Sequence, residues 1–165
     1  MSSFEALAEV VAPQVLLDAI RIGELLTELK VPYVLIGGLA VGLNGHPRAT
    51  KDVDYMVGPE AFQMTEPILV YREELKEQVA MGVIDLLAVP THYPFLAEQL
   101  RLPSIGDVPV IAVEPLVLLK LDANRPQDRA DVAKLVDAGA SVVAIRNYLD
   151  AKAPELTALF LELVD

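Results

Sequence analysis

The order of apolar patterns along the chain predicts an α+β fold, a small mixed β-sheet with flanking helices that is followed by C-terminal helices. An amphipathic helical pattern over residues 14–30 precedes a short apolar strand, and strand-like runs continue as far as residue 113. From Pro115 onward the pattern is helical. The 165 residues fit a single domain over 1–165, with a core over about 14–113 and a helical part over about 114–165.

Each element is assigned from its local pattern. Apolar residues recur at steps of three and four in the first helix, and Pro32 marks its end. Residues 83–89 form the most continuous β-like run, which predicts a central strand buried on both faces. A charged turn is predicted at 72–76. The other predicted strands cover 33–36, 53–57, 68–71, 78–81 and 110–113, and the other predicted helices cover 37–44, 60–66, 115–121, 126–136, 141–149 and 154–163.

The composition excludes several classes of protein. No apolar run reaches the roughly 18–20 residues of a membrane span, and residues 1–11 lack the basic start of a signal peptide. The chain is therefore expected to be soluble and cytoplasmic, without a membrane partner. It has no cysteine, which excludes disulfides and thiolate metal sites. A formal charge of −11 opposes broad, non-specific binding to nucleic acid, because such binding needs a basic surface.

The stretch from residue 34 to residue 57 carries the most chemical information. An apolar strand runs into Gly37 and Gly38, where the missing side chains would let a phosphate approach backbone N–H groups. A second strand presents Asp52 and Asp54 on one face, because side chains two apart on a strand point the same way. Neighbouring carboxylates repel unless a cation lies between them, so this pair is typical of a site for Mg²⁺. The combination predicts an enzyme that uses a metal and a nucleotide.

These residues resemble a known family. The glycine pair followed by Asp52-x-Asp54 is similar to the pattern of the polymerase β-type nucleotidyltransferase superfamily, and in particular to small bacterial members of the antitoxin and abortive-infection toxin types. The likeness runs from about residue 31 to residue 136. In that superfamily a later strand supplies a third carboxylate, and Asp85 stands at that place in an otherwise apolar run.

The resemblance implies an enzyme that moves a nucleoside monophosphate from a nucleoside triphosphate to a hydroxyl acceptor, with two Mg²⁺ ions as cofactors. Asp52 and Asp54 are then expected to hold one ion. Asp85 is expected to join them at the second ion and to help activate the hydroxyl. The acceptor stays open between a small molecule, a protein and a tRNA end.

Further residues are candidates for contacts with the nucleotide. Arg48, Thr50 and Lys51 precede the strand of the two aspartates, so a triphosphate bound there would pass near them. Lys120 belongs to a Lys…Arg…Asp…Asp segment that is similar to one in toxin-type relatives, where the lysine is thought to meet phosphate. The other interpretation of this segment is helix packing by salt bridges.

The interpretation as salt-bridged helix packing concerns the two acidic residues of the Lys…Arg…Asp…Asp segment. Asp128 and Asp131 lie three apart and share a helix face, where Arg125 or Arg129 would pair with them. His92, which precedes a Tyr-Pro pair, is interpreted as loop structure.

A second function also fits the pattern. Only thirty residues separate Asp54 from Asp85, which is short for the long helix usual between these strands, and position 38 is glycine where many relatives carry serine. An abbreviated pocket would suit a catalytically weak or inactive protein that acts as a binding partner in a toxin–antitoxin type system. A dinucleotide-binding loop is disfavoured because the glycines do not follow G-x-G-x-x-G, and a glycosyltransferase is disfavoured by the length of the chain.

Overall fold

The computed structural model describes residues 3–65, 68–104 and 106–165, and it has the predicted α+β class. Its strands are β1 (Tyr33–Ile36), β2 (Val53–Val57), β3 (Phe62–Thr65), β4 (Ile68–Tyr71) and β5 (Ile84–Ala88). Its helices are α1 (Pro13–Glu28), α2 (Gly37–Leu43), α3 (Glu73–Ala80), α4 (Val113–Ala123), α5 (Pro126–Asp137), α6 (Val142–Lys152) and α7 (Thr157–Val164). None of the helices in these ranges is both long and apolar enough to cross a membrane.

A mixed sheet of three strands, in the order β1-β2-β5, holds the centre of the fold. The outer strand β1 is antiparallel to β2, whereas β5 is parallel to it. The register sets Asp54 of β2 between Ile36 of β1 and Asp85 of β5. Two carboxylates therefore occupy directly neighbouring positions on adjacent strands, close to the point where β1 passes into α2.

The two faces of this sheet have different surroundings. On one face the buried Tyr55 of β2 donates a hydrogen bond from its hydroxyl to the carbonyl oxygen of Ala19 in α1, at 2.7 Å. On the other face Met56 of β2 and Leu116 of α4 line a common cleft. The C-terminal helices share the apolar core with the sheet, through Val132, Leu135, Ile145, Leu149 and Phe160.

The strand β5 does not occupy the central, doubly buried position that its sequence predicts. It lies at an edge of the sheet and β2 lies at the centre. Ile84 and Leu86 are buried, but Leu87 is 50% exposed. The apolar run is continuous because side chains on one face of β5 pack in the core, while apolar side chains on the other face line the cleft.

The segment between β2 and β5 differs most from prediction. The helix predicted over 60–66 is reduced to a single 3₁₀ turn of helix at Pro59–Ala61. From Phe62 to Thr65 the prediction is wrong, because these residues form β3; residues 66 and 67 lie outside the described residues. The strand predicted over 78–81 and the turn predicted over 72–76 are also wrong, because α3 runs through both. Acidic Glu73 and Glu74 in the first turn of α3 favour a helix start.

The strand predicted over 110–113 is reduced to a single bridge. Val110 pairs with Leu35 outside the named strands, and Val113 already begins α4. The segment exchanges hydrogen bonds with β1 only around Leu35, which donates to the carbonyl of Pro109 at 2.8 Å and accepts from the N–H of Ile111 at 3.1 Å, before the chain turns into α4.

Candidate active site

A cleft of about 810 Å³ lies between the sheet and helices α2, α4 and α5. Nine side chains or glycines that the sequence singles out all line it: Gly37, Gly38, Arg48, Thr50, Lys51, Asp52, Asp54, Asp85 and Lys120. The fold therefore brings together residues that are spread over more than eighty positions of the chain. Their individual roles stay predictions.

The paired carboxyl groups of Asp54 and Asp85 line the cleft. They occupy opposite positions on β2 and β5, within hydrogen-bonding reach of each other. Burial, the contact with Asp85 and the charge of Asp52 raise the pKa of Asp54 to about 7, and only the charge of Lys120 acts against them. Two carboxyl groups whose joint ionisation is unfavourable at neutral pH offer oxygen ligands, and a bound hard divalent cation would offset the repulsion between their charges.

The third predicted ligand, Asp52, lines the same cleft from outside the strands. Asp52 is exposed just before β2, and its charge acts on Asp54. Within the described residues, no group of three His, Cys, Asp or Glu side chains is arranged to hold one metal ion. The pair Asp54–Asp85 thus fits a cation by its chemistry, while a shared site that includes Asp52 remains a prediction.

Gly37 provides the space that Asp54 occupies. Its φ is +68°, in the left-handed region that favours glycine. A side chain built at this position would overlap the carboxylate of Asp54. The glycine that follows β1 and the aspartate of β2 therefore form one structural unit.

The close packing of Gly37 against Asp54 predicts that the variant Gly37→Ala loses stability. The matched control is Gly82→Ala, because Gly82 also has a positive φ, +82°, but a Cβ there meets nothing within 4 Å. Backbone strain is expected to cost each variant roughly 1–3 kcal/mol of unfolding free energy. Gly37→Ala is expected to lose more than the control, since it also displaces Asp54. Denaturant unfolding checks this, and equal losses in both variants would contradict the close packing.

Thr50 fills the space beside Gly38. A Cβ at position 38 would lie 2.9 Å from the Thr50 Oγ1 and 3.0 Å from Nη2 of Arg48. The missing side chain at position 38 thus lets a hydroxyl and a guanidinium approach the start of α2. From the sequence, Arg48 and Thr50 were predicted to lie near the nucleotide only because they precede the strand that carries the two aspartates.

Arg48 is held by a buried carboxylate from α5. Its Nε and Nη2 donate to the two oxygens of Asp131 at 2.8 and 2.9 Å, a bidentate arrangement. Lys120 lies 2.9 Å from the same carboxylate. Burial by itself would raise the pKa of Asp131, but the hydrogen bonds from Arg48 and Lys120 outweigh it and hold that pKa below its ordinary value.

Lys120 lies between two buried acidic side chains. Besides Asp131, it contacts Asp128 at 3.2 Å, and Asp128 accepts a further hydrogen bond from Nε of Arg125 at 2.7 Å. The salt bridge between Asp128 and Arg125 is therefore present. Lys120 lines the cleft as well, so its contact with phosphate stays a prediction.

Sequence reasoning missed the apolar wall of the cleft. Leu116, Leu119 and Ala123 of α4 line it, as do Leu87 of β5 and the polar Asp122. Positions 116, 119, 120 and 123 follow the spacing of a single helix face, a signal that was available in the sequence. The part of the cleft that β5 forms could not be predicted from the sequence, because β5 was expected to be buried on both faces.

A comparison with protein families bears on this geometry. A family model described as a nucleotidyltransferase of unknown function (DUF6036) matches residues 16–142, most of the chain. The matched range contains all five strands and all nine predicted residues of the cleft. No curated protein matches the chain.

Proposed function

The chain belongs to this family of nucleotidyltransferases, and we propose that it transfers a nucleoside monophosphate from a nucleoside triphosphate to a hydroxyl acceptor with the help of Mg²⁺. The observation that carries the proposal is the pair Asp54–Asp85, two carboxyl groups in contact on neighbouring strands that line a cleft. The acceptor belongs to one of three classes, a small molecule, a protein or a tRNA.

The basic side chains of the cleft support a phosphorylated substrate. The chain as a whole carries a formal charge of −11, and Arg48, Lys51, Lys120 and Arg125 line this cleft together with Asp52, Asp54, Asp85, Asp122 and Asp128. Three of these cations, Arg48, Lys120 and Arg125, are committed in ion pairs with buried carboxylates, which fixes their positions. Lys51 is exposed. A triphosphate is therefore expected to run from the carboxylate pair towards Arg48 and Lys51.

The proposed reaction is an in-line displacement at the α-phosphorus. The acceptor oxygen forms a bond to that phosphorus, the bond to the oxygen that bridges to the β-phosphorus breaks, and pyrophosphate leaves. The carboxylate of Asp85 accepts the proton of the acceptor hydroxyl. Asp54 and Asp85, with Asp52 as a further ligand, would hold the Mg²⁺, which when bound offsets the negative charge of the phosphates. Arg48 and Lys51 orient the leaving pyrophosphate.

A second candidate function is that of a weakly active or inactive binding partner in a toxin–antitoxin type system. The observation that favours it is the hairpin β3–β4, where Met64, Ile68 and Leu69 are 67%, 62% and 54% exposed. Exposed apolar side chains grouped on one hairpin are typical of protein contact surfaces. Co-elution of a second protein during purification from the host, together with failure to bind any nucleotide, would favour this function.

Thermal unfolding in the presence of each of the four common nucleoside triphosphates tests the proposed function. With Mg²⁺ and a nucleotide at about 100 times its Kd, the folded protein is expected to gain about 2.7 kcal/mol, a rise in Tm of a few degrees. The gain is expected to need Mg²⁺ and to vanish in the variant Asp52→Ala/Asp54→Ala, because the carboxylates hold the metal–triphosphate complex.

The matched control is Glu73→Ala/Glu74→Ala, which removes two carboxylates from the exposed start of α3. This variant is expected to keep the full nucleotide-dependent shift. If no nucleotide raises the Tm of the unmodified protein, the transfer reaction is excluded and the binding-partner function takes its place.

A further inference from the structure

A network of ion pairs at the cleft carries more positive than negative charge. Its cations are Arg48, Lys120 and Arg125, and its anions are Asp128 and Asp131, which are both buried. Three cations against two carboxylates leave a net charge of +1. Because both carboxylates are already paired, the surplus positive charge can attract a ligand of the opposite sign. The three cations differ in how well they can contact such a ligand.

Arg48 and Lys120 are enclosed by their partners. The Lys120 side chain is 9% exposed and lies between the two carboxylates of the network. The Arg48 side chain is 23% exposed, and two of its nitrogens donate to the carboxylate from α5. Its third nitrogen, Nη1, donates to the carbonyl oxygen of Ala49 at 3.2 Å and to Oγ1 of Thr50 at 3.4 Å. Most of the hydrogen-bonding capacity of these two cations is therefore used within the protein.

Arg125 is the exposed member of the network. Its side chain is 74% exposed and lines the same cleft as Asp54 and Asp85. Nε and Nη2 donate to the two oxygens of Asp128 at 2.7 and 3.3 Å, which occupies one edge of the guanidinium. The other edge, formed by Nη1 and the second N–H of Nη2, meets no acceptor in the part of the chain that the structure describes. A planar guanidinium that is fixed along one edge and free along the other is suited to bidentate binding of a phosphate.

Arg125 lies close enough to the carboxylate pair to respond to its charge. The hydrogen bonds and the charge of Asp128 raise the pKa of Arg125, and the charges of Asp54 and Asp131 raise it further. In the proposed reaction, Asp54 belongs to the pair that holds the Mg²⁺, and the bond that forms is at the α-phosphorus. The phosphate that the free edge of Arg125 is best placed to meet is therefore the α-phosphate.

We propose that Arg125 is a further catalytic residue, which binds the α-phosphate of the nucleotide through the free edge of its guanidinium. Its positive charge offsets the negative charge that builds up on the non-bridging oxygens when the acceptor oxygen attacks. Asp128 is a positioning residue, because its buried carboxylate holds the guanidinium at the cleft before the nucleotide binds. This inference rests on the proposed function, since it assigns a further contact to the same substrate.

Calorimetric titration of Arg125→Ala tests this role, with Mg²⁺ and whichever of the four common nucleoside triphosphates the unmodified protein binds most tightly. The variant is expected to bind this nucleotide about 10-fold less tightly, the loss typical of a hydrogen-bonded contact with a charged group. The corresponding nucleoside monophosphate, which carries the α-phosphate alone, is expected to lose as much in displacement titrations. Inorganic pyrophosphate, which corresponds to the β- and γ-phosphates, is expected to lose less than about 2-fold.

The variant Arg129→Ala is the matched control. Arg129 lies one turn further along α5, is exposed, donates from Nε to Asn124 at 2.6 Å, and is not among the described residues that line the cleft. Its loss removes the same charge and is expected to leave all three affinities unchanged. Arg125→Ala is expected to fold, because Asp128 keeps Lys120 at 3.2 Å and the backbone N–H of residue 125 at 3.1 Å, and circular dichroism checks this. Arg125→Lys keeps the charge without the planar guanidinium and is expected to recover only part of the affinity.

The outcomes separate this role from the proposed function. Equal affinities of Arg125→Ala and Arg129→Ala for the nucleoside triphosphate would overturn the role of Arg125 and leave the nucleotide site intact. A loss of affinity for pyrophosphate as large as that for the triphosphate would overturn the assignment to the α-phosphate. Failure of every nucleotide to bind the unmodified protein would overturn both this inference and the proposed function.

Discussion

The variant Asp54→Asn is expected to be more stable than the unmodified protein at pH 7 without metal, and to have lost nucleotidyl transfer. Burial and the contact with Asp85 raise the pKa of Asp54 to about 7, so ionisation of this group is unfavourable in the folded state. An amide of the same shape removes that charge and its repulsion. Because the charge is what attracts the metal–triphosphate complex, transfer is expected to fall by at least about 100-fold.

The destabilisation that Asp54→Asn removes is expected to depend on pH in a definite direction. The pKa of Asp54 rises from 3.8 in the unfolded chain to about 7 in the folded protein, so the folded state binds more protons between these values. The free energy of unfolding of the metal-free protein is therefore expected to fall as the pH rises from about 4 to about 7. The pKa values of Asp128 and Asp131 are held below the ordinary range, so these two groups change the free energy of unfolding only at lower pH.

Denaturant unfolding in EDTA across this pH range measures the effect. The unmodified protein and the control Asp137→Asn, an exposed change at the end of α5, are expected to share one slope, and Asp54→Asn is expected to have a flatter one. A slope that is the same in all three proteins would contradict the electrostatic picture of the pair. Full transfer activity in Asp54→Asn would exclude Asp54 from the reaction.

The centre of the candidate site was predictable because its signals are local. Gly37 and Asp54 belong to one short stretch in which a strand, a glycine pair and a second strand follow in order. The period of two along a strand then suffices to orient the carboxylates. Asp85 needed the family resemblance, since its partner position on β2 depends on strand pairing.

The segment between β2 and β5 was not predictable from local patterns. β3 forms through its pairing with β4, where Phe62 stacks on Tyr71 with 5.1 Å between ring centroids. That pairing decides whether an ambiguous apolar run becomes helix or strand. The edge position of β5 is likewise a property of the whole sheet, and apolar content alone does not distinguish an edge strand beside a cleft from a buried one.

Long-range ion pairs were the hardest feature to predict. Arg48 and its partner Asp131 are 83 positions apart, and no periodicity connects them. The contact between His92 and Asp122 likewise joins a loop to the end of α4. Charge patterns indicate which groups need partners, but only the fold determines which partners they meet.

Asp131→Ala is expected to cause the largest loss of stability among the substitutions considered. Asp131 is fully buried and accepts hydrogen bonds from Arg48, from Lys120 and, at 3.0 Å, from Gln127. Its removal leaves Arg48 without its bidentate partner, while Lys120, which is only 7% exposed, keeps Asp128 alone at 3.2 Å. Removal of one member of a buried ion pair typically costs about 3–5 kcal/mol, because the remaining charge stays uncompensated in a poorly hydrated place.

Urea unfolding at pH 7 measures this loss, with Glu73→Ala as the matched control. The control breaks the exposed ion pair between Glu73 and Lys76, at 2.8 Å, and is expected to change stability by no more than about 0.5 kcal/mol. Asp131→Ala is also expected to weaken nucleotide binding in the protein that remains folded, since Arg48 loses the contact that holds it beside Gly38 and Thr50. A loss below about 1 kcal/mol would mean that Arg48 and Lys120 find other partners, and that the carboxylate does not organise this side of the cleft.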